Sequence, residues 1–350
     1  MKTSLRLSML LFFCSSFLYA QIGGNNVYEF LEFSPSARIT GLAGNLICVS
    51  DDDVTLAFDN PSTLNPSMHN QIAFNHNIHL GGINHGYLAY GYQPKKWATT
   101  FHAGMQYISY GEFTAADEFM NIQGTFEAAE YALTVGAAKP VYEKLTMGAN
   151  IKLISSQLES YNSLGISADV GAFYQDTAKL FSATLVLKNM GFQLTTYTPD
   201  MREKLPFDVQ VGISKRLRYL PFRFGIIAHN LQNGDIRYDD PNMQETTLLL
   251  GDAEPTDNVL LDKVDNLFRH LIFNGEFLFG KRENFRLRFG YSHLQKQELS
   301  VNNLRSLAGF AFGVGLKIKR FRVEFGHGFY HLAGGTNHFT ISTNINEFRR

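Results

Sequence analysis

Three consecutive carboxylates, Asp51-Asp52-Asp53, form the densest run of hard ligands in the sequence. Calcium takes several oxygens at once, but this run lacks the glycine and the terminal bidentate glutamate of a known calcium loop. An acidic turn, solvated or paired to neighbouring bases, is the plainer reading. Histidines gather twice, as His76, His79 and His85 and as His327, His331 and His338. Strand alternation puts His76 and His79 on opposite faces, which makes the first set a poor metal site. Serines are many, yet no Gly-x-Ser-x-Gly elbow occurs and no nucleophile–base set stands out. The expectation is a protein that is not an enzyme, with no catalytic residue, cofactor or metal.

The remaining charges sit in a pattern. Lys152, Asp169, Lys188, Arg223, Glu276, Arg286, Arg288, Arg322 and Glu324 each fall on the polar face of a segment whose other face is apolar. Leu145, Met147, Ala149, Ile151 and Leu153 alternate with Thr146, Gly148, Asn150 and Lys152; Phe285, Leu287, Phe289 and Tyr291 alternate with Arg286, Arg288 and Gly290. Period two sends successive side chains to opposite faces of a sheet. An Arg or Lys facing lipid at mid-depth costs about 2–4 kcal/mol, so these charges are expected to point into a lumen. Both signs occur in similar number, which favours a paired, occluded interior over an ion-selective pore.

Fourteen alternating segments centre near Phe74, Ala89, Ala103, Leu133, Ala149, Ala168, Leu185, Val209, Phe224, Phe273, Leu287, Phe312, Val323 and Ile341. Each has about the ~9–11 residues that cross a bilayer as a tilted strand. Every second connection is a tight turn, as at Gln93 to Lys96, Pro140 to Glu143 and Lys319-Arg320. Most alternate ones are longer: Gly111 to Phe126, Gly191 to Leu205, Leu231 to Leu267 and Gln295 to Arg305. The expected fold is all-β: a 14-stranded antiparallel transmembrane outer-membrane β-barrel over residues 70–350.

Composition agrees. The 350 residues include 30 Phe, 16 Tyr and 30 Gly, and 31 basic residues balance 32 acidic ones. Aromatics suit the interfacial belts of a barrel, and nothing suggests the basic surface that nucleic acid requires. Residues 1–20 read as a signal peptide: Lys2 and Arg6, an apolar core from Leu7 to Phe17, and Ala20 before the expected cut. Cleavage would leave Cys48 as the single cysteine and a net charge near −3 (−1 minus 2).

Residues 21–69 fit no strand. Gly41, Gly44, Pro61 and Pro66 interrupt them, yet Ile39, Leu42, Leu46, Ile47, Leu56 and Phe58 need burial. A lead-in and a hatch or plug inside the barrel is expected, with Arg38, Asp51, Asp52, Asp53, Asn60 and Pro61 as its characteristic residues. The connection from Leu231 to Leu267 carries nine carboxylates, including Asp239, Asp240, Asp252, Glu254 and Asp257, against Arg237 and Lys263. Such a loop either solvates a surface beside lipopolysaccharide or docks a partner with a basic face; docking is the expectation.

Several runs carry a resemblance. Residues from Gly23-Gly24-Asn25-Asn26 to Leu31, then Ser36-Ala37-Arg38, Gly44-Asn45, Asp51-Asp52-Asp53-Val54 and Asn60-Pro61, resemble the start of PorQ proteins. So do Gly124-Thr125-Phe126, Leu158 to Ser163, Lys188 to Gly191, Leu205-Pro206-Phe207 and Tyr238 to Pro241. PorQ proteins are outer-membrane components of the type IX secretion system of Bacteroidota. The resemblance implies a non-enzymatic member of the cell-surface attachment complex, beside a PorV-like barrel, a PorU-like sortase and a PorZ-like surface protein. In that complex cargo is joined to lipopolysaccharide, and the implied role is to hold the PorZ-like protein at the membrane. The wider barrel family includes FadL, whose hatch ends near Asn-Pro-Ala; here Ser62 takes the third place. That wider kinship keeps open a FadL-like transporter of a hydrophobic solute, although inward faces rich in Gly, Ser and charge argue against an apolar pocket.

Overall fold

The computed structural model describes residues 26–199, 201–237, 259–299, 306–331 and 334–348. The expected signal segment and its cut after Ala20 lie outside these residues. So do Asp239, Asp240, Asp252, Glu254 and Asp257.

Fourteen antiparallel strands close on themselves, each paired with its sequence neighbours and the first with the last. They are β1 (Gln71–Ile78), β2 (Asn84–Tyr92), β3 (Thr100–Ala116), β4 (Ile122–Tyr142), β5 (Leu145–Leu158), β6 (Tyr161–Asp176), β7 (Phe181–Thr195), β8 (Asp208–Arg216), β9 (Phe222–Ala228), β10 (Leu271–Phe279), β11 (Phe285–Ser292), β12 (Phe310–Ile318), β13 (Phe321–His331) and β14 (Gly334–Asn344). Each centre read from the sequence falls in its strand. Closure leaves no sheet edge, and the described residues include no helix long and apolar enough to cross a membrane.

The barrel is inside-out. Phe74, Met105, Leu133, Ile151, Val170, Val211, Phe312 and Ile341 stand on its outer face, and Phe101 and Leu287 share that face. Gln106, Lys152, Asp169, Gln210 and Arg288 are buried on the inner face. A continuous apolar outer band of this kind is matched to hydrocarbon.

Strand length departs from expectation. β3 has 17 residues and β4 has 21, so Gly111 to Phe126 is not a loop but the end of a hairpin pairing as far as Ala116 with Ile122. Helices occupy part of two other expected loops, Val259–Arg269 before β10 and His293–Glu298 after β11. Sequence alternation is weak where a ribbon leaves the membrane, and short amphipathic helices leave no period-two signal.

The N-terminal segment threads the lumen. Val27 donates its backbone N–H to the Lys204 carbonyl, between β7 and β8 at the rim of long connections. From there Val27, Tyr28, Phe30 and Leu31 pack with Ile108, Ile154 and Leu205. The chain then descends through the short helix Ala37–Thr40 to Asp51 and Ser67, which share the opposite mouth with Lys317, Lys319 and Arg320 of the short turns. From Asn26 onward the described chain thus runs from the rim opposite the one where β1 begins and β14 ends.

Candidate functional site

The segment forms a plug because its capping residues favour tight turns over strands. Ser36, Asp53, Asn60 and Asn65 each accept a backbone N–H at the start of a helical turn, the capping these residue types perform best. Pro61 and Pro66 supply the first position of two such turns. Each turn folds apolar side chains inward, and Ile39, Leu42, Leu46, Val49 and Leu56 form a dry cluster within the plug.

The wall is cut to receive it. A Cβ on Gly148 of β5 would sit 2.6 Å from the Pro61 carbonyl carbon and the Ser62 nitrogen. A Cβ on Gly290 of β11 would lie 2.8 Å from Leu42 Cα, and one on Gly326 of β13 would lie 2.9 Å from the Ala37 carbonyl carbon. Plug backbone therefore lies directly on wall backbone, an approach that glycine allows. Asn60 fastens the contact: its Nδ2 donates to the Ile47 carbonyl at 2.7 Å and to Thr184 Oγ1 on β7 at 2.9 Å.

Two ionic layers tie plug to wall. In the first, Lys188 donates to Asp59 of the plug at 2.6 Å, beside Lys152 and Asp169 at 2.9 Å, both fully buried. Asp169 also accepts the Asn189 backbone N–H at 2.8 Å, where β7 bulges against β6. Asn150 bonds Asp169 and the carbonyls of Ala57 and Phe58.

The second layer forms the floor. Arg38, fully buried, bonds Asp51 through Nη1 at 2.9 Å and Nη2 at 2.8 Å, Asp53 at 3.2 Å, and Glu276 of β10 through Nε at 3.1 Å and Nη2 at 3.2 Å. Glu276 is shared with Arg223 and Arg288, and Arg288 continues to Glu324 at 2.6 Å. Arg322 grips Asp52 with both terminal nitrogens, at 3.0 and 2.8 Å, and Arg286 lies 3.9 Å from Asp51 and Asp52. Five arginines thus face five carboxyls. Burial alone would raise the Asp51 carboxyl, but Arg38, with Arg286 and Arg223, holds it well below the usual carboxylate range. Burial leaves the Asp53 carboxyl raised despite Arg38.

The hatch residues named from sequence are therefore all in the lumen. Arg38, Asp51, Asp52 and Asp53 meet in the floor layer, and Asn60 and Pro61 meet β5 and β7 in the other. The acidic triplet is occupied by arginines, and no cluster among the described residues has the makings of a metal site. His327 falls on the outer side of β13, away from His338. Missed from sequence was an inner edge-to-face group of His79, His85 and His338, with ring centroids 6.3 and 6.2 Å apart, which brings the β1–β2 connection and β2 to β14, at the far end of the chain. Burial pushes the Cys48 thiol up to about 12, so this enclosed cysteine stays protonated.

Above the plug, toward the rim of long connections, lies a cavity of about 450 Å³. Phe33, Ile83, Ile272 and Leu294 line it together with Asn45, Lys188 and His229. The apolar share of this lining was not expected from the polar inner faces; Phe33 comes from the plug, Ile83 and Leu294 from connections, and Ile272 from the inner face of β10. A second mouth of about 850 Å³, at the short-turn rim, is lined by Arg282, Arg286, Lys317, Lys319, Arg320 and Arg322 with Asp51, Asp52, Glu283 and Glu347.

No family model matches the sequence, and no curated protein matches it. Solved structures do match in fold. The toluene transporter TodX of Pseudomonas putida is 11% identical, over 89% of this chain and 96% of that one, with a TM-score of 0.51. A FadL homologue of Pseudomonas aeruginosa is 10% identical over 89% and 98%, with a TM-score of 0.49. At such identities the likeness to TodX is one of fold alone, a closed antiparallel β-barrel.

Proposed function

We propose that this chain is a non-enzymatic, integral outer-membrane docking protein that holds a soluble partner at the cell surface. The observation that carries the reading is the floor layer around Arg38. Separating one partner of a buried ion pair costs about 3–5 kcal/mol, and a solute path through this lumen would separate several together. A barrel closed in this way still offers its rims. The rim of long connections bears the β3–β4 hairpin and the acidic connection after β9. The sequence runs that resemble PorQ proteins support a specific setting: the type IX attachment complex of a Bacteroidota cell, with PorZ-like, PorU-like and PorV-like partners and contact with lipopolysaccharide. The test is affinity purification of the detergent-extracted protein, with identification of what accompanies it and heat-modifiable migration as the folding control. A PorZ-like protein in the eluate is expected. Loss of that protein when Asp239, Asp240, Asp252, Glu254 and Asp257 become Asn or Gln would assign it to the acidic connection. A folded barrel that retrieves no surface protein overturns the reading.

One observation favours a second reading, transport of a hydrophobic solute: the cavity above the plug, with Phe33, Ile83, Ile272 and Leu294 in its lining. The fold shared with a toluene transporter points the same way. Saturable binding of a labelled monoaromatic hydrocarbon, abolished by Ile272→Arg, would favour this reading over docking.

A further inference from the structure

The β3–β4 hairpin rises beyond its neighbours. Pairing of β3 with β2 ends at Ser109, and pairing of β4 with β5 ends at Ala128. Between these points the two strands have only each other, for roughly 20 Å at strand rise. The base is anchored: Tyr110 donates to Glu130 at 2.6 Å and packs on the cluster of Tyr28, Phe30 and Ile108. The tip is closed by Asp117, whose Oδ1 accepts the backbone N–H groups of Phe119 and Asn121, each at 2.9 Å.

That ordered tip carries its apolar side chains outward. Phe119 is 84% exposed, Met120 88% and Ile122 75%. Lower down, Phe113 and Phe126 stack across the strands at 5.3 Å. Water-facing aromatics on an unsupported ribbon cost stability, since two strands alone are marginal, unless something covers them. The charges around them have one sign. Between Ser109 and Glu130 the sequence has Glu112, Asp117, Glu118, Glu127 and Glu130 and no Lys, Arg or His. An anionic lipid surface would repel this ribbon, as would a second copy approaching tip to tip.

We propose that the β3–β4 hairpin is the docking element for a soluble protein whose contact face is an apolar groove rimmed by Lys and Arg. Phe119, Met120 and Ile122 are the anchors in the groove. Glu112, Asp117, Glu118 and Glu127 steer and orient the partner's basic rim, as complementary charges do at interfaces. The proposal rests on the docking reading and names its surface.

The experiment places a photoreactive residue at Met120 in the full-length protein in its native membrane, with Tyr219 on the short-turn rim as the control position. A single soluble protein should crosslink from Met120 and not from Tyr219, through peptides in which basic residues flank apolar ones. Phe119→Ser combined with Ile122→Ser should cut its co-purification about tenfold. Raising salt from about 0.1 to 1 M shortens the screening length from ~10 to ~3 Å and should release wild type progressively. The Glu112→Gln, Glu118→Gln, Glu127→Gln variant should start weaker and respond less. Heat-modifiability checks each variant's folding, and the substituted side chains are all off the membrane wall. If Met120 crosslinks only to lipid, to another copy or no more than Tyr219 does, the proposal fails. If the substituted hairpins retain the partner at wild-type level, the hairpin proposal fails while the docking reading stands. If no soluble protein crosslinks or co-purifies at all, both fail.

Discussion

Arg38 and Glu276, 238 positions apart in the sequence, meet side-on, Nε to Oε1 at 3.1 Å and Nη2 to Oε2 at 3.2 Å. One belongs to the plug and the other to the wall, so their pairing is one of the ties that join the two, beside Lys188–Asp59 and Arg322–Asp52. The two-point geometry suits guanidinium and not ammonium. Arg38→Met leaves Glu276, Asp51 and Asp53 buried without their shared cation, and a loss of about 3–5 kcal/mol is expected. Because the strand ladder is untouched, the barrel should still fold and shift on heating, while ion conductance in planar bilayers rises. Arg38→Lys should restore little of the closure.

Acid should open the floor only at low pH. Asp51 has a depressed folded-state pKa, held down by Arg38, Arg286 and Arg223 against the opposing effect of burial. A depressed carboxyl contributes stability above its unfolded value of about 3.9, and that stability is lost as pH falls through the lower folded value. Asp53, raised by burial, contributes with the opposite sign, so protonating it as pH falls costs the plug nothing. Conductance of wild type should stay flat from neutral pH down to about pH 4 and rise below it. Asp51→Asn should conduct at neutral pH, and a wild type that opens near pH 6 would contradict the assignment.

Backbone contact can be tested apart from charge. Gly148→Ala places a methyl group 2.6 Å from the backbone of Pro61 and Ser62, neither of which is the flexible end of a side chain. Overpacking of this kind costs about 1–3 kcal/mol. The temperature of the heat-modifiability shift should fall and conductance should rise, whereas Gly234→Ala, with nothing within 4 Å, should change neither.

The wall was legible in the sequence for a physical reason. Ile151 beside Lys152 and Leu287 beside Arg288 cannot share a face in lipid, so period-two alternation fixes both side chains at once. The need for a plug could also be read, because Leu42, Leu46 and Phe58 had to be buried in a stretch that glycine and proline exclude from strands. What the plug touches could not be read. Pairing Arg38 with Glu276, or setting His85 beside His338, depends on barrel closure and on which strands face each other across the lumen. The height of the β3–β4 hairpin was hidden because Glu112, Phe113 and Phe119 lie where neither lipid nor lumen imposes alternation. The acidic connection ends in the helix Val259–Arg269, whose apolar residues recur at helical spacing and so leave no mark in a search for period-two strands.

The buried pair Lys152–Asp169 offers a test of whether the lumen is held by charge or by filling. Neither side chain has measurable exposure, and each is the other's nearest opposite charge at 2.9 Å. Removing one partner strands the other, so Lys152→Met alone should cost about 3–5 kcal/mol. Replacing both with apolar side chains of similar volume often restores stability, since the desolvation of two ions is removed along with their attraction. Here the two residues are not equivalent. Asp169 also accepts the Asn189 backbone N–H at 2.8 Å, at the bulge where β7 loses register with β6. No apolar residue can take that bond, and an unsatisfied buried N–H costs about 1–3 kcal/mol. Lys152→Met with Asp169→Asn should therefore recover more stability than Lys152→Met with Asp169→Leu, because asparagine keeps an acceptor for the bulge. Urea unfolding of the detergent-solubilised barrel, followed by the heat-modifiability shift, measures the difference. Equal stability of the two double variants would mean that the bulge draws nothing from Asp169.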